Sequence, residues 1–168
     1  MTLQQLNHLP LTQLKTELGK CCGSSELVER MACIFPVPDE ETLQMYAEKI
    51  WYECSEADWL EAFGHHPKIG DVQALKEKFA ATAHWAGEEQ SAVKGSAEAV
   101  LRALKAGNEA YEARFGYTFI VCATGKTAEE MLGLLQARLS DSAADEMQIA
   151  MREQNKITQI RLQKLLHP

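Results

Sequence analysis

The sequence has no apolar run close to the ~20 residues that a membrane-spanning helix needs, and it has no excess of basic charge. Its 17 lysine and arginine residues are outnumbered by 24 aspartate and glutamate residues, which gives a formal net charge of −7. Nucleic-acid-binding proteins usually present a basic face. The first ten residues contain neither a basic start nor a long apolar stretch, which argues against a secretory signal. We therefore expect a cytoplasmic protein with no nucleic-acid or membrane partner.

The sequence also lacks a Cys-x-x-Cys pair. It has five cysteines, an odd number, and two of them, Cys21 and Cys22, are neighbours that are poorly placed to bridge each other. Reduced thiols in a cytosolic protein fit this pattern better than a disulfide framework or a thiolate zinc site.

A phosphate-binding loop is missing as well. The tripeptide Gly125-Lys126-Thr127 resembles the end of such a loop, but Ile120 occupies the position where the motif requires its first glycine. The tripeptide is therefore not interpreted as a nucleotide site.

What is present is a helical pattern. With 168 residues and 46% hydrophobic content, the chain fits one domain, residues 1–168, with a real core. Apolar residues recur at helical spacing between capping residues and Pro or Gly stops. The predicted helices cover residues 24–35, 39–51, 55–64, 72–80, 88–114, 127–139 and 142–166. Only Tyr117–Ala123 resembles a strand, and since one strand makes no sheet, we expect an extended connector. The prediction is an all-α, single-domain bundle of about eight helices with one extended connector.

A histidine directly before a proline is the first candidate for chemistry. Proline disfavours helix at the preceding residue, so His66 is presented from a rigid, non-helical position before Pro67. An imidazole held there suits acid or base work near neutral pH. Two alternatives stay open: a solvated loop histidine beside His65, and a metal site that also uses His84, although the spacing supports a metal poorly.

Two further features each allow two interpretations. Glu88-Glu89-Gln90 is either the acidic first turn of a helix or a carboxylate and amide turned towards a site. Arg161 shares a stripe with Ile157 and Leu165 on the last helix, which places a guanidinium on the apolar side. Such a group needs an internal carboxylate, a substrate anion, or a path to water. Arg138, flanked by leucines, raises the same question more weakly.

Several short motifs, taken together, resemble one family. They are Cys22-Gly23-Ser24, His66-Pro67-Lys68-Ile69-Gly70, Glu89-Gln90, Asn108-Glu109-Ala110-Tyr111-x-x-Arg114-Phe115-Gly116-Tyr117-x-Phe119-Ile120-Val121-Cys122-Ala123, Arg138-Leu139 and Arg161-Leu162. The chain is similar, over essentially its whole length, to the 2-oxo-4-hydroxy-4-carboxy-5-ureidoimidazoline (OHCU) decarboxylases. No single piece is specific, but the combination is.

The resemblance implies an all-helical homodimer that needs no metal or organic cofactor and converts OHCU into (S)-allantoin in urate breakdown. It implies that His66 is the central catalytic residue and that Glu89 is catalytic beside it. The residues it implies for substrate binding are Pro67, Gln90, Phe119, Ile120, Val121, Cys122, Ala123 and Arg161. The chain departs from the family at Ala86, where a serine is common, so no role is assigned to that position.

This reaction needs few catalytic groups from the protein. The substrate carries a hydroxyl and a carboxylate on one ring carbon beside a ring C=N, which can accept the electron pair left by carbon dioxide. We expect His66 to handle the proton, Glu89 and Gln90 to hold N–H groups of the substrate, and Arg161 to fix its orientation. The alternatives are a helical scaffold or regulatory protein without chemistry, and a metal-dependent hydrolase that uses His65, His66 and His84.

Overall fold

The computed structural model describes residues 1–66 and 90–167, with the backbone alone from 90 to 97. Within those residues it contains helices joined by irregular segments and no strand. The described helices are α1 (Leu3–Asn7), α2 (Leu11–Cys21), α3 (Ser25–Cys33), α4 (Glu40–Glu53), α5 (Glu56–Gly64), α6 (Gln90–Phe115), α7 (Ala128–Arg138) and α8 (Ala143–Leu166). The all-α prediction is confirmed.

Side-chain caps explain where four of these helices begin. The side chains of Ser24, Asp39, Ser55 and Thr127 each accept a hydrogen bond from a backbone N–H in the first turn of the helix that follows. Ser55 and Thr127 form complete capping boxes, with Asp58 and Glu130 returning the bond. These starts agree with the sequence prediction because a cap is a local interaction.

Two differences from the predicted helices are informative. Helix α3 ends at Cys33, two residues before the predicted end. Helices α1 and α2 were not placed by the sequence analysis, although α1 also begins with a capping box, formed by Thr2 and Gln5. The predicted helix 72–80 lies outside the described residues.

The chain divides into two compact units, and the first is formed by Met1–His66 together with Met151–Pro168. Its core contains Trp51, whose indole N–H donates to the backbone oxygen of Met151 over 2.8 Å. Trp59 donates in turn to the carbonyl of Trp51 over 3.0 Å. The C-terminal part of α8 is thereby fixed against α4 within this unit.

The second unit is formed by Pro67–Ala150. Gly116, with φ +81°, terminates α6 in a left-handed conformation that favours glycine. The connector that follows buries Tyr117 and Phe119, whose rings lie 5.7 and 5.1 Å from that of Tyr111. The prediction of an extended, packed connector is confirmed. That the whole chain is one domain stays a prediction.

No helix in the part of the chain that the structure describes combines the length and apolar character required to cross a bilayer.

Candidate functional site

His66 lies just beyond the C-terminus of α5 in the first unit. Its backbone N–H donates to the carbonyl of Phe63 over 3.1 Å, and His65 before it caps the helix. The ring is half-buried, and its Nε2 atom is hydrogen-bonded to Oε1 of Gln154 on α8. An imidazole held by the last turn of one helix and a buried amide of another has a defined orientation.

Arg161 lies on α8 two turns beyond Gln154, at the edge of the buried face. The stripe of Ile157, Arg161 and Leu165 is half-buried, whereas the buried face in this unit includes Gln154, Asn155, Thr158 and Leu162. Arg161 therefore borders the core and does not lie at its centre. Polar side chains fill much of the buried face because their hydrogen bonds are satisfied there, and the apolar pattern alone missed them.

The end of α2 connects these two candidates. Nη1 of Arg161 donates to the carbonyl of Cys21 over 3.3 Å, and Nε2 of Gln154 lies 3.9 Å from Sγ of Cys22. The structure thus brings His66 and Arg161 to one region of the first unit, between the end of α2 and the face of α8.

The cysteines there are poorly suited to nucleophilic chemistry. Burial raises the pKa of Cys21 to about 11, and burial also raises the pKa of Cys22. Both thiols are therefore protonated at neutral pH and are weak nucleophiles. All five cysteines are free, as the sequence analysis expected.

Arg138, the second candidate arginine, has a structural partner. Its Nε atom donates to both carboxylate oxygens of Glu146 over 3.0 and 3.1 Å, and Nη2 pairs with the same carboxylate. Nη1 donates to the carbonyl of Ile120 over 2.8 Å. The hydroxyl of Tyr111 also donates to Glu146, and the guanidinium lies 4.5 Å from the centre of the Phe119 ring.

Arg138, Tyr111 and Glu146 form a buried cluster. Burial and pairing both shift the pKa values of Arg138 and Tyr111. Burial lowers the pKa of Arg138, but the hydrogen bonds and charge of Glu146 outweigh it and raise the pKa overall. Burial and the bond to Glu146 raise the pKa of Tyr111. Arg138 therefore stays charged beside Glu146, and it holds the connector at Ile120. In the sequence, Tyr111 was noted only as part of a family motif, and Glu146 was not noted at all.

Several predicted residues cannot be placed in this geometry. Pro67, Glu89, His84 and Ala86 lie outside the described residues, and Gln90 is described only as the first backbone residue of α6. Among the described residues there is no cluster of three or more histidine, cysteine or acidic side chains that could hold a metal ion.

Gly23 is a close-contact position beside the candidate histidine. A Cβ atom at Gly23 would lie 2.5–2.7 Å from three side-chain atoms of His65, which would push the residue preceding His66. We expect Gly23→Ala to lower the free energy of unfolding by about 1–3 kcal/mol and to reduce activity. Gly19→Ala on α2, where an added Cβ meets nothing within 4 Å, is the matched control and should stabilise by up to ~1 kcal/mol. Chemical denaturation measures both, and equal stabilities of the two variants would contradict the prediction.

Comparison with known proteins identifies relatives along nearly the whole chain. A family model described as OHCU decarboxylase matches residues 7–163. The uric acid degradation bifunctional protein TTL of Arabidopsis thaliana is 36% identical over 148 residues, which cover 86% of this chain and 45% of that protein. A 2-oxo-4-hydroxy-4-carboxy-5-ureidoimidazoline decarboxylase of Haloferax volcanii is 24% identical over 163 residues, covering 96% and 94% of the two chains. The chain thus spans less than half the length of the bifunctional plant relative.

Comparison with solved structures points to the same family. The crystal structure of an OHCU decarboxylase in the presence of (S)-allantoin superposes with a TM-score of 0.72 at 34% sequence identity, covering 90% of this chain and 98% of the other. The match of the family model over residues 7–163, joined to this structural likeness, shows that the chain belongs to the OHCU decarboxylase family.

Proposed function

We propose that this protein decarboxylates OHCU to (S)-allantoin in urate breakdown, with His66 as the proton-transfer residue. The observation that carries the proposal is the setting of His66, which is half-buried, hydrogen-bonded to a buried amide and located in the same region as Arg161. Family membership supports the choice of substrate.

The proposed reaction uses an electron sink within the substrate. Loss of carbon dioxide leaves an electron pair that the adjacent ring C=N accepts, so the protein must orient the carboxylate, manage the hydroxyl proton and deliver a proton to one face of the neighbouring carbon. An imidazole side chain is the group best suited to take and return such a proton. Delivery to a single face gives one enantiomer of the product.

Arg161 is the better candidate for binding the substrate. Three nitrogen atoms of Arg138 are already bonded to Glu146 and Ile120. Arg161 is half-buried, and among the described residues its hydrogen bond is a single one of 3.3 Å to the carbonyl of Cys21. The remaining donors of its guanidinium fork suit a substrate oxygen.

The connector is proposed to bind the substrate ring through its backbone, as the family resemblance implies for Phe119–Ala123. The carbonyls of Ile120 and Cys122 already accept hydrogen bonds from Arg138 and from Lys126, over 2.8 Å in each case. We therefore favour the N–H groups of this segment as the groups that face the substrate. The family resemblance also implies Glu89 as a catalytic residue, with Gln90 and Pro67 in substrate binding.

A coupled assay tests the proposed function. Urate is supplied with an upstream oxidase and hydrolase in excess, and allantoin formation is followed by circular dichroism. Spontaneous decay of the intermediate gives racemic product, so the signal stays near zero without this protein. We expect a protein-dependent build-up of one enantiomer. A trace identical to the enzyme-free control would reject the decarboxylase and leave the helical scaffold as the leading interpretation.

Two further proposals concern assembly and location, and the first follows from the family resemblance. We propose that the protein is a homodimer, which light scattering of the purified chain measures directly. We also propose that it acts in the cytoplasm, in line with its free thiols. A monomeric mass in solution would contradict the first of these proposals.

A further inference from the structure

Gln154 is a buried amide in the middle of α8 whose surroundings give it a single orientation. Its side chain is 1% exposed, and it lies between His66 on one side and Cys22 and Thr158 on the other. A buried amide of this kind is stable only when its donors and acceptor all have partners.

The hydroxyl of Thr158 decides which way the amide points. That hydroxyl donates its one hydrogen to the backbone carbonyl of Gln154 over 3.0 Å, a bond common for threonine within helices. The same oxygen lies 3.2 Å from Nε2 of Gln154 and is left to accept. The amide nitrogen therefore faces Thr158, with Sγ of Cys22 at 3.9 Å as its second partner.

The opposite orientation would lose the bond between the amide nitrogen and Thr158. With nitrogen and oxygen exchanged, the Thr158 hydroxyl would face two acceptors with one hydrogen. Cys22 does not distinguish the two orientations, because a thiol can either donate or accept. The contacts of Thr158 therefore favour the orientation that places Oε1 of Gln154 towards His66.

An amide oxygen only accepts hydrogen bonds, so the His66 nitrogen that meets it must carry a hydrogen. We infer that Gln154 is a positioning residue that holds neutral His66 in the Nε2–H tautomer, so that the proton His66 gains or loses is carried by Nδ1. This inference rests on the proposed function for its link to the reaction, but the tautomer itself does not depend on any substrate.

The consequence for proton transfer is that Gln154 needs no rearrangement. The Nε2–H···Oε1 bond persists in both the neutral and the protonated ring, because only Nδ1 changes its state. A neutral amide orients the ring without the charge that an aspartate would add. The amide partner of the histidine in some cysteine proteases has the same role.

Nuclear magnetic resonance of nitrogen-15-labelled histidine tests the tautomer. Long-range proton–nitrogen correlation spectra of the full chain, recorded at a pH where the ring is neutral, distinguish the two forms, and His66→Asn identifies the His66 signals among those of the five histidines. We expect the Nε2–H pattern in the wild type. An Nδ1–H pattern for the assigned His66 ring would overturn the inference.

Variants connect the tautomer to turnover. Gln154→Met removes the acceptor, so we expect a mixture of tautomers. We also expect kcat to fall by ~10–100-fold, the range typical when the hydrogen-bonding partner of a metal-bound histidine is lost, with little change in KM. Gln154→Glu keeps an acceptor and should restore the Nε2–H pattern with part of the activity. Gln159→Met, on the same helix but bonded to the Gln44 carbonyl instead, is the matched control.

The possible outcomes distinguish a failure of the positioning role from a failure of the proposed function. If Gln154→Met keeps the wild-type tautomer and kcat, the positioning role is wrong even though the decarboxylase proposal stands. If the wild type shows the Nε2–H tautomer and Gln154→Met loses it while no preparation turns over the substrate, the assignment of the tautomer holds and the proposed function is wrong.

Discussion

The His66→Asn variant is expected to lose allantoin-forming activity by about 10²–10⁴-fold, the usual contribution of a positioned acid or base. Asparagine cannot exchange a proton near neutral pH, yet it is small enough for the half-buried position at the end of α5. The backbone bond from this residue to the carbonyl of Phe63 does not depend on the side chain. The loss should therefore appear in kcat while the protein stays folded, as measured by the dichroic assay and by far-ultraviolet spectra.

The neighbouring histidine provides the control. His65 is exposed, is not placed in the proposed machinery, and can be replaced by asparagine in the same way. We expect His65→Asn to keep most of the activity. Equal losses in the two variants would show that the segment matters only for structure, and retained turnover in His66→Asn would remove His66 from the mechanism.

The two arginines are expected to respond in opposite ways to the same substitution. Arg138→Met leaves Glu146, which is fully buried, without its cationic partner. Breaking a buried pair from one side typically costs about 3–5 kcal/mol, and we expect a loss of that size in the free energy of unfolding. Arg161→Met should leave stability nearly unchanged, because Arg161 is half-buried and bonded only to the Cys21 carbonyl among the described residues, but it should raise KM strongly.

Urea denaturation and steady-state kinetics on the same preparations check this contrast. A double variant, Arg138→Met with Glu146→Leu, should recover part of the lost stability, because an apolar pair removes the isolated charge. If Arg138→Met is as stable as the wild type while its KM rises, the roles assigned to the two arginines are reversed.

Local interactions explain most of what the sequence predicted correctly. The caps at Ser24, Asp39, Ser55 and Thr127 involve residues three positions apart, so a short window contains both partners. The same reasoning would have found α1, whose capping box at Thr2 and Gln5 was overlooked. The glycine stop at Gly116 belongs to the same class.

The candidate site was less predictable because its contacts join distant residues. His66 was recognisable from the proline that follows it, but Gln154 resembles any polar residue on a helix until its partner is known. Glu146 escaped notice for the same reason, although the leucines around Arg138 indicated that a buried carboxylate was needed. The centre of the buried face next to Arg161 was not predicted, because an apolar periodicity does not detect a buried face rich in Gln, Asn and Thr.

The first unit is discontinuous in the sequence, and this affects how the site is built during synthesis. His66 and Gln154 are separated by 88 positions, and the unit joins Met1–His66 to Met151–Pro168. A chain emerging from the ribosome therefore completes all of Pro67–Ala150 before the residue that orients the histidine exists. Closing so long a loop is an entropic cost that comes before the contact forms. The orientation of His66 is consequently one of the last features that a growing chain acquires, and a prematurely terminated product would carry the histidine without the amide that holds it.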